Sequence, residues 1–188
     1  ILNRFFDANW DHIIAVHPRY QELLDLRDGT DADAITAALK IFTDQDFRDL
    51  QIWFNLAWVD PDYLAKEPFK ALIDKGRGFT EDDKIVLFDG ITEILAKVIP
   101  THKDLQDQGI IEITTTPYAH PILPLIYDTN LALVGNPSAI MPQERFSYPE
   151  DAVYHLEKSV QMYEQYFGMP VRGLGPAEGS VAEDIVAM

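Results

Sequence analysis

A change of character at Gly109 constrains this chain more than any other feature. Up to that point apolar residues recur at helical spacing. Beyond it, Ile110-Ile111-Glu112-Ile113-Thr114-Thr115-Thr116 is β-branched everywhere except Glu112 and has no helical period. Such side chains are stiff at χ1 and suit a pleated, covered surface better than a helix, so the run reads as an interior strand. A second run, Val171-Arg172-Gly173-Leu174, reads as another buried strand that breaks at Gly175-Pro176. Between them, residues 117–147 hold five prolines and little periodicity, which predicts a long ordered loop. Ser147 with Glu150 then makes a capping box for a helix with Val153, Leu156, Val160, Tyr163 and Phe167 on one stripe, ended by Gly168. Strand, long loop, helix, strand is the βαβ unit of a parallel sheet, and it predicts an α/β fold after residue 109.

Residues 1–108 read as helices. Leu2, Phe5, Phe6 and Trp10 share helical spacing, and Pro18 suits the first turn of a helix that fades at Asp28-Gly29. Thr30 with Asp33, Thr43 with Asp46 and Thr80 with Asp83 each offer an N-terminal cap. The dense apolar run Leu50-Gln51-Ile52-Trp53-Phe54-Asn55-Leu56-Ala57-Trp58 would also suit a buried strand. Helix is the better reading, because Ile52 is its only β-branched residue and the run continues from a capped start. The longest helix starts at Thr80 and carries Ile85, Phe88, Ile91, Ile94, Leu95 and Val98; Pro100 should kink or restart it before Gly109.

The chain is long enough for one domain, and a 47% hydrophobic share supplies a core. The formal charge is −16, with no basic cluster to neutralise phosphates, so nucleic acid and anionic membrane surfaces are poor partners. A neutral sugar would not be repelled. There is no cysteine, which excludes disulfides and thiolate-bound metal; nothing points to an oxidising compartment, and the expected location is cytoplasmic. No apolar run reaches the roughly 20 residues of a membrane span. Both ends read as cut: Ile1 lies inside an amphipathic pattern, and Met188 falls a few residues into a helix begun near Ser180.

Chemistry concentrates in two segments. Gly175-Pro176-Ala177-Glu178-Gly179-Ser180 delivers one carboxylate just past a strand end, where α/β proteins place their sites. Glu178 also reads as an ordinary first-turn acid favoured by the helix dipole. The segment Pro117-Tyr118-Ala119-His120-Pro121 offers an aromatic ring and an imidazole past the preceding strand. Parallel strands open both loops on one edge, so Tyr118, His120 and Glu178 should converge on one cleft suited to a neutral polyol. Taken alone, His120 is equally a structural histidine satisfied by a backbone partner. His12 and His17 are five apart and do not align as metal ligands, and His102 and His155 read as exposed helix positions. Trp53, Phe54 and Trp58 read as core, and Glu81-Asp82-Asp83 as helix-start acids.

Together the two segments resemble glycoside hydrolase family 57, the retaining α-glucan enzymes built on an incomplete (β/α) barrel. The family's second region is similar to residues 112–124, a Glu-Ile strand leading into a Pro-Tyr-x-His-Pro loop. Its third is similar to residues 173–181, and DLQIWFNLAWVD at 49–60 and RGFTEDDK at 77–84 resemble two further stretches. The resemblance implies a fragment of one catalytic barrel domain, residues 1–188, with a helical insert region at 1–108 and the site-bearing strand-loop-helix-strand at 109–188. It implies Glu178 as nucleophile, substrate contacts at Tyr118, His120 and Gly175, an α-glucan substrate, and no cofactor or metal. The family's first region and its acid/base Asp would lie outside residues 1–188. The isolated stretch would then be inactive, and the remaining segments of the same barrel would be its partners. Where the family has Trp three residues before the nucleophile, this chain has Gly175. That departure keeps open a non-catalytic sugar-binding or regulatory relative. A carbohydrate deacetylase ranks last, for want of a His-x-x-x-His metal motif.

Overall fold

Capped helices dominate the computed structural model, which describes residues 1–188, and no β-sheet forms. The chain divides into two compact units, Ile1–Lys97 and Val98–Met188. In the first, a π-helical turn at Trp10–Ile14 leads into α1 (Pro18–Arg27), α2 (Ala32–Ile41), α3 (Asp44–Leu56), α4 (Pro61–Leu64) and α5 (Phe69–Lys75). Helix α6 (Glu81–Asp107) gives its N-terminal part to this unit and its C-terminal part to the second. The second unit adds α7 (Leu123–Tyr127), α8 (Ala132–Gly135), α9 (Pro149–Phe167) and α10 (Glu183–Val186), with 3-10 turns at Thr129–Leu131 and Ala177–Gly179. No helix is long and apolar enough to cross a membrane.

Two of the expected caps form reciprocally. At α3 the Asp46 amide donates to Thr43 Oγ1 (3.2 Å) and the Thr43 amide to Asp46 Oδ2 (2.8 Å). At α6, Thr80 and Asp83 exchange the same pair of bonds, at 2.6 and 3.2 Å. Each satisfies two amides that a helix start leaves without partners. Helix α3 runs through Leu50 to Leu56, which settles that segment as helical. Three local expectations need correction. The cap of α2 is Asp31, not Thr30, because its carboxylate accepts from both Asp33 and Ala34 amides, at 3.0 and 2.9 Å. Ser147 does not cap α9: its hydroxyl donates to the Tyr127 carbonyl at 2.8 Å, and the helix starts instead at Pro149, whose ring presets φ. Pro100 neither stops nor restarts α6, since it removes one amide donor while the turns on either side remain helical.

The first unit packs Tyr20, Leu23, Leu50, Ile52, Trp53 and Phe79 into its centre. At the edge of this core lies a buried charge, Asp49, only 1% exposed. Its carboxylate accepts from Arg19 Nε (2.8 Å), Gln45 Nε2 (2.7 Å) and the Phe79 amide (3.0 Å), so α1, α3 and the start of α6 share one acceptor. Gly90 has a different task. A Cβ there would lie 2.9 Å from both Phe69 and Pro68, so a glycine inside α6 is what lets the start of α5 approach. Of the tryptophan group, Trp53 is buried and donates to the Gly76 carbonyl at 3.1 Å, whereas Trp58 is 69% exposed and is not core.

The α/β reading fails in the second unit. Residues 110–116 and 171–174 form no strands, and the expected βαβ unit and incomplete (β/α) barrel are absent. What remains of the pairing is one parallel rung between Thr115 and Leu174. The β-branched run is therefore a local preference without the neighbours a sheet requires. Parallel strands are stable when both faces and both edges are covered, and two segments alone cannot provide that. The segments are held by side chains instead. Gln106 Oε1 accepts from the Ile113 amide (3.1 Å) and from the Tyr163 hydroxyl (2.8 Å), which ties residue 113 to α6 and α9. The 117–147 loop is closed by the Thr129 amide on the Phe146 carbonyl (2.9 Å) and the Tyr148 amide on the Ile126 carbonyl (2.9 Å).

Two outcomes follow for the first unit. Asp49→Ala leaves the buried Phe79 amide without an acceptor, while Arg19 keeps Asp46 and Glu22 and Gln45 keeps the Phe79 carbonyl, and should destabilise by about 1–3 kcal/mol in urea unfolding; a loss under about 0.5 kcal/mol would show the hub to be dispensable. Asp46 supplies a pH dependence. Burial acts to raise its pKa, but Thr43 and the Arg19 guanidinium outweigh burial and hold it below its ordinary 3.8. The folded value is the lower one, so this stabilisation is complete above pH 3.8 and is lost as pH falls through the folded value. Acid unfolding followed by circular dichroism should be less steep below that pH in Asp46→Asn than in the wild type.

Candidate functional site

The site is built on two turns that follow the single rung. The Thr115 amide donates to the Gly173 carbonyl (3.0 Å), and the Gly175 amide donates back to the Thr115 carbonyl (2.8 Å). Gly173 permits this approach, since a Cβ there would meet Thr114 Cγ2 at 2.9 Å. From this common point both segments leave in the same direction, and each turns sharply. The first turn closes when the His120 amide donates to the Pro117 carbonyl at 2.9 Å. The second is the 3-10 turn Ala177–Gly179, where the Gly179 amide donates to the Pro176 carbonyl at 3.1 Å.

These turns bring His120 and Glu178 together. His120 Nε2 stands 3.3 Å from Glu178 Oε1, and both side chains remain open to solvent, at 55% and 69% exposure. The pair contributes little to stability at that exposure, but it is well placed to meet a ligand. His120 Nδ1 faces Thr116 Oγ1 at 3.4 Å. Ala119, His120 and Glu178 all have left-handed backbone, with φ of 60°, 57° and 54°. Only one other non-glycine residue in the chain, Asp28, does so. Side chains rarely adopt this region without cost, and such strain gathers where a side chain must be aimed.

The other expected residues fall around the pair. Tyr118 lines a groove of about 430 Å³ together with Thr114, His120, Ser159, Tyr163 and Tyr166. Its ring stacks on His155, with centroids 6.1 Å apart. Gly175 lies on the rung itself, and a Cβ there would meet only the Thr115 carbonyl oxygen at an ordinary 3.8 Å. Glu178 does not line the Tyr118 groove, so ring and carboxylate flank His120 from different sides.

His155 is the residue that pattern reading missed. It reads as an exposed helix position, yet its Nδ1 hydrogen-bonds the Tyr118 carbonyl, and its own carbonyl accepts from the Tyr118 amide at 3.1 Å. It pins the loop to α9. A sequence signal was present only in its place on the helix, one residue before Leu156 on the packed stripe. Asp128 is not available for acid chemistry. Its bonds with Arg145, helped by the Asn130 amide, hold its pKa below the ordinary range, so it stays ionised and caps the turn at Thr129–Leu131. No group of three or more His, Asp or Glu side chains is placed to hold a metal ion.

The sequence model of glycosyl hydrolase family 57 matches residues 9–188. The chain belongs to glycosyl hydrolase family 57. Membership implies glycosidase-type chemistry on a carbohydrate substrate, in agreement with the resemblance carried by the two loop segments. Neither the curated proteins nor the solved structures contain a significant match.

The left-handed backbone at Glu178 has a measurable consequence. Glu178→Gly removes the side chain from a conformation that glycine adopts freely, and should raise stability by about 1 kcal/mol in thermal unfolding. A Tm below that of the wild type would show that Glu178 stabilises the fold.

Proposed function

We propose that this chain carries the nucleophile side of a retaining glycoside hydrolase or transglycosylase acting on α-glucans, with Glu178 as the nucleophile. The observation that supports this most is the convergence of His120 and Glu178, 3.3 Å apart and solvent-accessible, on turns whose backbone is strained to present them. In such a reaction the Glu178 carboxylate attacks the anomeric carbon as the bond to the leaving oxygen breaks. A second carboxyl group, about 5–5.5 Å away, protonates that oxygen. The resemblance places this group as an aspartate outside residues 1–188. Water or a sugar hydroxyl then attacks the glycosyl-enzyme ester and regenerates the carboxylate. Hydrolysis and transfer differ only in which of these acceptors arrives. His120 and Tyr118 serve the substrate through hydrogen bonding and stacking, and Gly175 lets the sugar approach the backbone.

Gly175 also supports a second reading, a sugar-binding relative without turnover, because the stacking tryptophan of the family is missing at that position. The backbone there accepts a side chain's first atom, since a Cβ at Gly175 would meet only the Thr115 carbonyl oxygen, at 3.8 Å.

One experiment separates the two readings. In the full-length protein, a slow fluorinated α-glucosyl substrate should leave a covalent adduct that peptide mass spectrometry maps to Glu178. Glu178→Gln, which keeps shape and removes charge, should abolish turnover while α-glucan binding persists. Binding with neither adduct nor turnover in the wild type would select the second reading. An adduct on another carboxylate, or wild-type turnover by Glu178→Gln, would reject the assignment of Glu178. Gly175→Trp should tighten α-glucan binding by roughly 2- to 10-fold through restored stacking.

A further inference from the structure

The loop that presents His120 also presents a hydroxyl that the chemistry above does not use. Thr116 Oγ1 lies 3.4 Å from His120 Nδ1, while His120 Nε2 lies 3.3 Å from Glu178 Oε1. One imidazole therefore faces a hydroxyl through one nitrogen and a carboxylate through the other. A carboxylate can only accept a hydrogen bond, whereas a hydroxyl can donate or accept. A neutral imidazole carries one ring proton. Placed on Nδ1, it would leave the Nε2 lone pair against the lone pairs of Glu178. Placed on Nε2, it points at the carboxylate and leaves Nδ1 free to accept from Thr116. Only the second arrangement is complementary at both ends.

We propose that Thr116 is a positioning residue: Glu178 selects the Nε2–H tautomer of His120, and the Thr116 hydroxyl, donating to the bare Nδ1, holds the ring so that the imidazole fixes the carboxylate's orientation. The backbone is arranged to serve this contact. The turn closed between Pro117 and His120, with left-handed Ala119 and His120, folds the ring back over the residue four positions earlier. Thr116 follows immediately on the rung at Thr115, so its hydroxyl is fixed by the same pairing that brings Glu178 near. The effect on the reaction rests on Glu178 being the nucleophile; the tautomer assignment does not.

The test has two arms. In nitrogen-15 NMR of histidine-labelled protein, with His120 assigned by its absence in His120→Asn, the wild type should show a bare Nδ1 and a protonated Nε2. Thr116→Val, which keeps shape and removes the hydroxyl, should keep that tautomer but move the Nδ1 resonance as its hydrogen-bond donor is lost, and Thr116→Ser should restore the wild-type position. In kinetics on an α-glucan, Thr116→Val should lower kcat by roughly 3- to 10-fold at unchanged KM, the size of one neutral hydrogen bond, with recovery in Thr116→Ser. A protonated Nδ1 in the wild type overturns the proposal without any variant being needed. So does an unchanged Nδ1 resonance in Thr116→Val. If the Nδ1 resonance moves as expected but Glu178→Gln retains wild-type turnover, the nucleophile assignment fails and the Thr116–His120 link stands.

Discussion

The placement of His120 beside Glu178 depends on one pair of backbone hydrogen bonds, from the Thr115 amide to Gly173 and from the Gly175 amide to Thr115. Without a surrounding sheet, this rung alone sets the register between two segments almost sixty residues apart. A shift by one residue would turn every side chain of one segment to the opposite face, and His120 and Glu178 would no longer meet. Two glycines flank the rung for different reasons. Gly173 is needed because any side chain would strike Thr114, whereas Gly175 has room and so is free to vary. The steric difference leaves Gly175, where the resemblance expects Trp, the less constrained of the two.

The rung is thin, and its support comes from polar side chains that reach across from helices. Gln106 and Tyr163 hold residue 113, and His155 holds residue 118. The Gln106 amide orientation follows from its partners, since the Ile113 amide needs an acceptor and finds it in Oε1. In the first unit Asp49 plays the equivalent part, a single buried carboxylate shared by groups from three places in the chain. Buried polar groups of this kind add little net stability when satisfied and cost much when broken. Their value lies in permitting one arrangement and excluding its neighbours.

The excess of acid in the chain is used locally. Asp31, Asp46, Asp60, Asp83 and Asp128 all sit at helix or turn starts, where their carboxylates accept from otherwise unpaired amides. A charge of −16 is thus partly the by-product of many short helices that need caps. Glu178 stands apart from this pattern. It occupies a left-handed position, accepts no capping bond, and faces an imidazole. Left-handed backbone at a residue with a side chain costs stability, and so exposed a pairing with the imidazole returns little.

The sequence by itself determined the helices of residues 1–108, the caps at Thr43 and Thr80, and the stops at Gly109 and Gly168, because those depend on contacts within a few residues. It also singled out the two loops proposed to carry chemistry, since Tyr118, His120 and Glu178 stand out by residue type beside turn-forming prolines and glycines. Whether residues 110–116 and 171–174 became strands was not local information. β-branching expresses a preference that only covering neighbours can realise, and the tertiary structure supplies one rung in place of a sheet. The roles of Asp49, Gln106 and His155 were likewise invisible, because a buried hydrogen bond is defined by where its partner lies, and those partners are 4 to 57 residues away, all but one of them beyond a single helical turn. Only the fold could set His120 against Glu178, because the two come from separate loops that meet through the pairing of Thr115 with Leu174.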